Sequence, residues 1–114
     1  MSTFFYISES LNIGVHSGAS YCILEGTRSL FDSNHEECLR EIYEGYDVGM
    51  GGVTLEELDD CCYNYFYQKC KAAMNSFPDS EHAGGMAPNL IAGIMAKWGE
   101  LLEILRKDPR YKAG

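Results

Sequence analysis

The chain has 114 residues, 46% of them hydrophobic, with a formal net charge of −8 and a pI near 4.7. That length predicts one domain spanning residues 1–114, and that hydrophobic fraction excludes wholesale disorder. So acidic a chain is repelled by nucleic acid and by anionic membrane surfaces, which excludes both as partners and favours a basic protein.

No apolar run approaches the roughly 18 residues that a membrane span needs. The first residues, Met-Ser-Thr-Phe-Phe-Tyr, carry no basic n-region and no apolar h-region, so no secretory signal is read and a cytoplasmic location is expected. The cysteines are Cys22, Cys38, Cys61, Cys62 and Cys70. The count is odd, two are adjacent, and there is no C-x-x-C. This predicts no disulfide framework, a reducing compartment, and cysteines acting as small buried hydrophobes.

Residues 3–8 are aromatic and β-branched and predict a short N-terminal strand. Residues 10–20 carry Gly14, Gly18 and several serines and read as loop, with a brief extended piece at 12–15. Over 19–31, Ile23, Leu24, Thr27, Leu30 and Phe31 match a helical face. Gly26 costs such a helix about 1 kcal/mol, and a strand over 21–24 competes; the period favours helix. Ser33 or Asn34 opens a clearer helix with Glu36 and Glu37 in its first turn, where acidic side chains suit the dipole. Cys38, Leu39, Ile42, Tyr43 and Tyr46 give its buried side, and Glu36 and Arg40 are spaced for an ion pair.

Residues 45–52 hold four glycines and break this helix, without the spacing of a phosphate-binding loop. Thr54-Leu55-Glu56-Glu57 reads as a capping box, flanked by a Val53–Leu58 staple, and predicts a helix over 55–76. Leu58, Cys61, Cys62, Tyr65, Phe66, Ala73 and Phe77 form its expected apolar side, with Tyr63, Tyr67, Lys69 and Lys71 off it. Residues 78–88 read as irregular loop. Over 89–108, Leu90, Ile91, Ile94, Met95, Trp98, Leu101, Leu102 and Leu105 trace one helical stripe, with Asn89 as N-cap and Pro109 as terminator. The expected fold is therefore mainly α: a small bundle of three helices, a fourth near 19–31, and a short N-terminal strand.

No motif carries recognisable catalysis. His16, His35 and His82 are scattered and none pairs with a cysteine at metal-ligand spacing, so no metal and no cofactor is expected. Cys38 near His35 is the one suggestive nucleophile pair, but Glu36, Glu37 and Glu41 surround it and oppose a thiolate. Charge is distributed unevenly. Residues 32–60 contain ten acidic side chains and one basic, Arg40, and the remainder of the chain is close to neutral. Tyrosines lie beside and within this block, and exposed Tyr next to carboxylates suits protein recognition. The expected partner-binding set is Glu37, Glu41, Glu44, Tyr46, Asp47, Glu56, Asp59, Asp60, Tyr63 and Tyr67.

This profile of size, acidity and cysteine usage across the whole chain resembles the immunity proteins of bacterial toxin systems, including contact-dependent growth inhibition. The resemblance implies a small, cytosolic, non-enzymatic protein that binds and neutralises a toxin domain, frequently a basic nuclease, by occluding its active site. Phage-encoded anti-defence inhibitors share the profile. An enzyme or ligand-binding domain is the alternative of another class, with a pocket between the two long helices drawing on Cys38, His35 or the 45–52 loop. A homo-oligomeric subunit, using a leftover face of the 89–108 helix, is a third; the sequence leaves the oligomeric state open.

Overall fold

The computed structural model describes residues 2–112; Met1, Ala113 and Gly114 lie outside it. The chain opens with strand β1 (Ser2–Tyr6), turns back through residues 7–11 and returns as β2 (Asn12–His16). Alternation decides the faces. Thr3, Phe5 and Ile7 point inward and are buried, as are Ile13 and Val15, while Phe4 and Tyr6 point outward, each 42% exposed. The two strands pair antiparallel from Ser2 opposite His16 to Tyr6 opposite Asn12.

Helix α1 (Ser17–Arg28) follows at once, its first turn capped by His16, whose ring nitrogen accepts from the Gly18 amide at 3.3 Å. The helix predicted here on period alone is present, and the competing strand is not. Gly26 lies against the core, where a Cβ would be in contact with the Trp98 ring at 3.4 Å. A 3-10 turn (Ser33–His35) leads into α2 (Glu36–Asp47). After a turn with positive φ at Gly49 and Gly51, a third strand, β3 (Gly52–Thr54), joins the sheet parallel to β1, in the order β2-β1-β3. The sequence reading has no strand here. Three residues including a glycine carry too little pattern to detect, and the Val53–Leu58 staple gives way to Val53 pairing opposite Phe5.

The capping box at Thr54 is also corrected. Residues 55–59 form a turn, and α3 (Asp60–Ser76) starts five residues later than predicted, capped by the Asp59 carboxylate accepting from the Cys62 amide at 2.8 Å. Its buried stripe is Tyr63, Phe66, Tyr67, Cys70 and Ala73, one position round from the predicted side, and Cys61 is exposed. Tyrosine can take these inner positions because its hydroxyl finds partners at the core's edge. Tyr63 donates to the Leu105 carbonyl at 2.6 Å, and the Tyr67 hydroxyl accepts from Arg106 at 2.8 Å. After a short 3-10 turn and loop comes α4 (Pro88–Leu105), with Ala87 at the N-cap in place of Asn89 and Pro88 in the first turn, where its missing N–H is harmless. Ile94, Trp98, Leu101, Leu102 and Leu105 are buried as the stripe predicted, whereas Leu90 is half exposed.

The helices cover one face of the sheet around a continuous core running from Phe5 and Ile7 through Ile23, Tyr43 and Phe66 to Trp98. The fold is mainly α, as expected, with a small three-stranded sheet. The residues after α4 close it. Arg110 donates to the carbonyls of Ile7 (2.7 Å), Leu55 (2.5 Å) and Leu58 (3.0 Å), pairs with Asp108 at 2.8 Å, and lies over the Tyr63 ring. No described helix is long and apolar enough to cross a membrane.

Candidate functional site

The first turns of α2 and α3 face one another across a cleft of ≈ 450 Å³. Glu36, Glu37 and Glu41 line it from α2, and Glu57 and Asp59 from the turn before α3. No lysine or arginine is among its lining residues. Between the two walls lies a disulfide joining Cys38 to Cys62, with Cα atoms 5.7 Å apart. The expectation that all five cysteines are unpaired hydrophobes is therefore corrected for these two. Their pairing spans 24 residues and two helix starts, which spacing rules for local motifs do not register. Cys22, Cys61 and Cys70 remain thiols, and burial raises the pKa of Cys22 and pushes Cys70 up to about 11. The disulfide also removes Cys38 as a nucleophile.

One end of the cleft is held by a compact polar cluster. The Asp32 carboxylate accepts from the Asn34 amide at 3.0 Å and lies 2.6 Å from His35 Nδ1; the His35 contact, with the Asn34 bond adding to it, holds the carboxyl below its ordinary pKa. The His35 ring stacks on Tyr65 at 3.6 Å, and the Tyr65 hydroxyl accepts from the Asp32 amide at 2.9 Å. These contacts fix the α1–α2 connection to α3 and so set where Glu36 and Glu37 begin.

The predicted partner-binding residues are not gathered in one place. Glu37 and Glu41 are exposed on α2, Asp59 is exposed on the opposite wall, and all three line the cleft. Glu44 and Glu56 are exposed outside it; Glu44 lies on the side of α2 that carries Arg40 and Asp47. Asp47 is exposed but committed: its carboxylate takes a two-pronged contact from Arg28 at 2.8 and 3.1 Å. Arg28 in turn lies over the Tyr43 ring, and Tyr46 is half buried beside Tyr43. Asp60 faces Lys112 at 3.9 Å, next to Lys69 and Asn64, on a surface of mixed charge. Tyr63 and Tyr67 are 0% and 2% exposed. An anchoring aromatic must offer surface, so both are corrected from partner contacts to core residues.

The Glu36–Arg40 ion pair is not formed among the described residues. Glu57 and the disulfide escaped the sequence reading, Glu57 because it was assigned to a capping box. A hollow of ≈ 380 Å³ does lie between the two long helices, lined by Met74 on α3 and by Met95, Gly99 and Glu103 on α4, but it draws on none of Cys38, His35 or the 45–52 loop. An open groove of ≈ 600 Å³ runs between the start of α1 and the first half of α4, lined mostly by apolar groups including Ala19, Met86, Leu90 and Ile94, with His16 and Lys97 at its rim. No trio of His, Cys, Asp or Glu among the described residues is arranged to hold a metal ion.

No protein-family model matches the chain, and no curated protein matches it. Its fold does match a chain of the solved structure of the CdiA-CT toxin from Burkholderia pseudomallei E479 in complex with cognate CdiI immunity protein. The TM-score is 0.78 at 21% identity, covering 95% of this chain and 97% of that chain. At that identity the likeness concerns the fold.

Proposed function

We propose that this chain is an immunity-type inhibitor. It binds a protein toxin domain and neutralises that domain without catalysing any reaction. The toxin is a basic protein, a nuclease domain in the version we favour, because cleavage of nucleic acid demands a positively charged groove. Docking places the α2–α3 cleft on that groove and occludes the active site.

The observation that carries this reading is the convergence of Glu36, Glu37, Glu41, Glu57 and Asp59 on one concave surface without a lysine or arginine. Neighbouring carboxylates with no neutralising partner repel one another, and a docked cation relieves that repulsion. Their field speeds encounter with a basic partner. The fold shared with a chain from a toxin–immunity complex supports the same reading.

The test is capture of partners from the source cell with tagged chain at low salt, repeated at high salt, with bound proteins identified by mass spectrometry. A single stoichiometric basic protein, lost as salt rises, is the expected result. An acidic or neutral partner retained at high salt would overturn the electrostatic mechanism, and a nucleic acid recovered alone would overturn the reading entirely.

A further inference from the structure

We propose that the Cys38–Cys62 disulfide is a reducible staple that holds the acidic cleft in its docking geometry, so that binding of a basic protein depends on the oxidation state of this pair. The inference rests on the docking reading above and names its control.

The staple occupies a mechanically sensitive place. Cys38 and Cys62 each lie in the first turn of their helix, one on either side of the cleft. Helix α2 packs chiefly on β3, whereas α3 packs chiefly on α1 and α4, so the two helices belong to different parts of the core. The disulfide is the covalent tie between their starts. Five exposed carboxylates line the cleft beside it, so like-charge repulsion, screened by solvent, acts between the two walls. Breaking the sulfur–sulfur bond leaves that repulsion opposed only by noncovalent packing. The walls then separate or fray, and the carboxylates no longer present one concave surface.

The chemistry balances with a dithiol as reductant. One thiolate of the dithiol attacks a protein sulfur, forming a mixed disulfide and releasing the other cysteine, which takes up a proton. The second thiol of the reductant resolves the mixed disulfide. Two electrons and two protons pass to the protein, which gains two thiols, and the dithiol becomes a cyclic disulfide. The carboxylates slow this exchange, since they repel an incoming thiolate and disfavour the one that leaves. Binding and reduction are linked: if reduction weakens a partner by some factor, the bound partner protects the disulfide by the same factor. Exposed Cys61 neighbours Cys62 but stands outside the pair, in a hollow lined by Asn64, Gln68 and Lys112, and serves as the internal control.

The experiment uses the full chain in three forms: oxidised, reduced with dithiothreitol, and Cys38→Ser/Cys62→Ser. Peptide mapping establishes the 38–62 linkage in the first. Amide hydrogen exchange over residues 36–41 and 60–64 reports the walls, and oligolysine binding at low salt reports docking. The expected result is exchange faster by about tenfold and oligolysine affinity lower by about fivefold or more in the reduced and Ser forms. Cys61→Ser should respond to dithiothreitol as the wild type does. Equal exchange in oxidised and reduced chain overturns the staple, whatever the binding. Faster exchange with unchanged affinity overturns redox control while leaving acidic docking intact. Faster exchange with no oligolysine binding in any form overturns the docking reading, and control of docking with it, while identifying the disulfide as purely structural.

Discussion

Arg110 holds two separate pieces of backbone, the residue after β1 and the turn before α3, through the carbonyls of Ile7, Leu55 and Leu58. Its partner Asp108 is 5% exposed. Truncation to Ala strands that carboxylate and three carbonyls, and should lower unfolding free energy by about 3–5 kcal/mol in urea titrations. Arg110→Lys should recover only part, because an ammonium on a flexible stem cannot reproduce the planar fork. The pair also fixes a pH dependence. Hydrogen bonding to Arg110 holds the Asp108 carboxyl below its ordinary 3.8. A carboxyl lowered in the folded state contributes stability that is fully present above its unfolded value and is lost as pH falls through the folded one. Asp108→Asn should therefore flatten part of the stability loss seen below about pH 4, measured by thermal unfolding across that range. None of this is legible in the sequence, where Arg110 is one cation among several near the C-terminus. Tyr63 misled for a related reason: its burial depends on the Leu105 carbonyl, which lies 42 residues away.

Periodicity located the helices at the scale of elements, because each buries a stripe wide enough to dominate its stretch. It placed the boundary of α3 badly. Thr54-x-x-Glu57 has the composition of a capping box, but Thr54 ends a strand, and its hydroxyl makes only a 3.4 Å contact with the Glu56 amide. The working cap is Asp59. Asp59→Ala should cost about 1 kcal/mol and Thr54→Ala close to nothing, a contrast that chemical denaturation resolves directly. The missed strand is enforced by one glycine. A Cβ on Gly52 would run into the Phe4 carbonyl oxygen of the neighbouring strand. Gly52→Ala should disrupt the β1–β3 ladder and cost more than the roughly 1 kcal/mol at which point-mutant effects centre, with hydrogen exchange rising first at residues 52–54.

For the whole molecule, the sequence shows that acidity is concentrated in residues 32–60 but not how it folds up. Part of the block is committed internally, as Asp47 is by its ion pair with Arg28 and Asp32 by its hydrogen bond with His35. What remains is gathered by the meeting of two helix starts that are separated along the chain by β3, and it is fastened by a disulfide that counting cysteines argued against. Under the function proposed above, the charge of that surface gives it a testable chemistry. The most direct test measures affinity for the captured basic partner with wild type and with Glu37→Lys/Glu41→Lys/Glu57→Lys, at low and at high salt. These positions are exposed, so the variant should fold. The account predicts association slower by about tenfold or more at low salt, with the gap closing as salt rises. Equal association rates and affinities for the two proteins at low salt would contradict it.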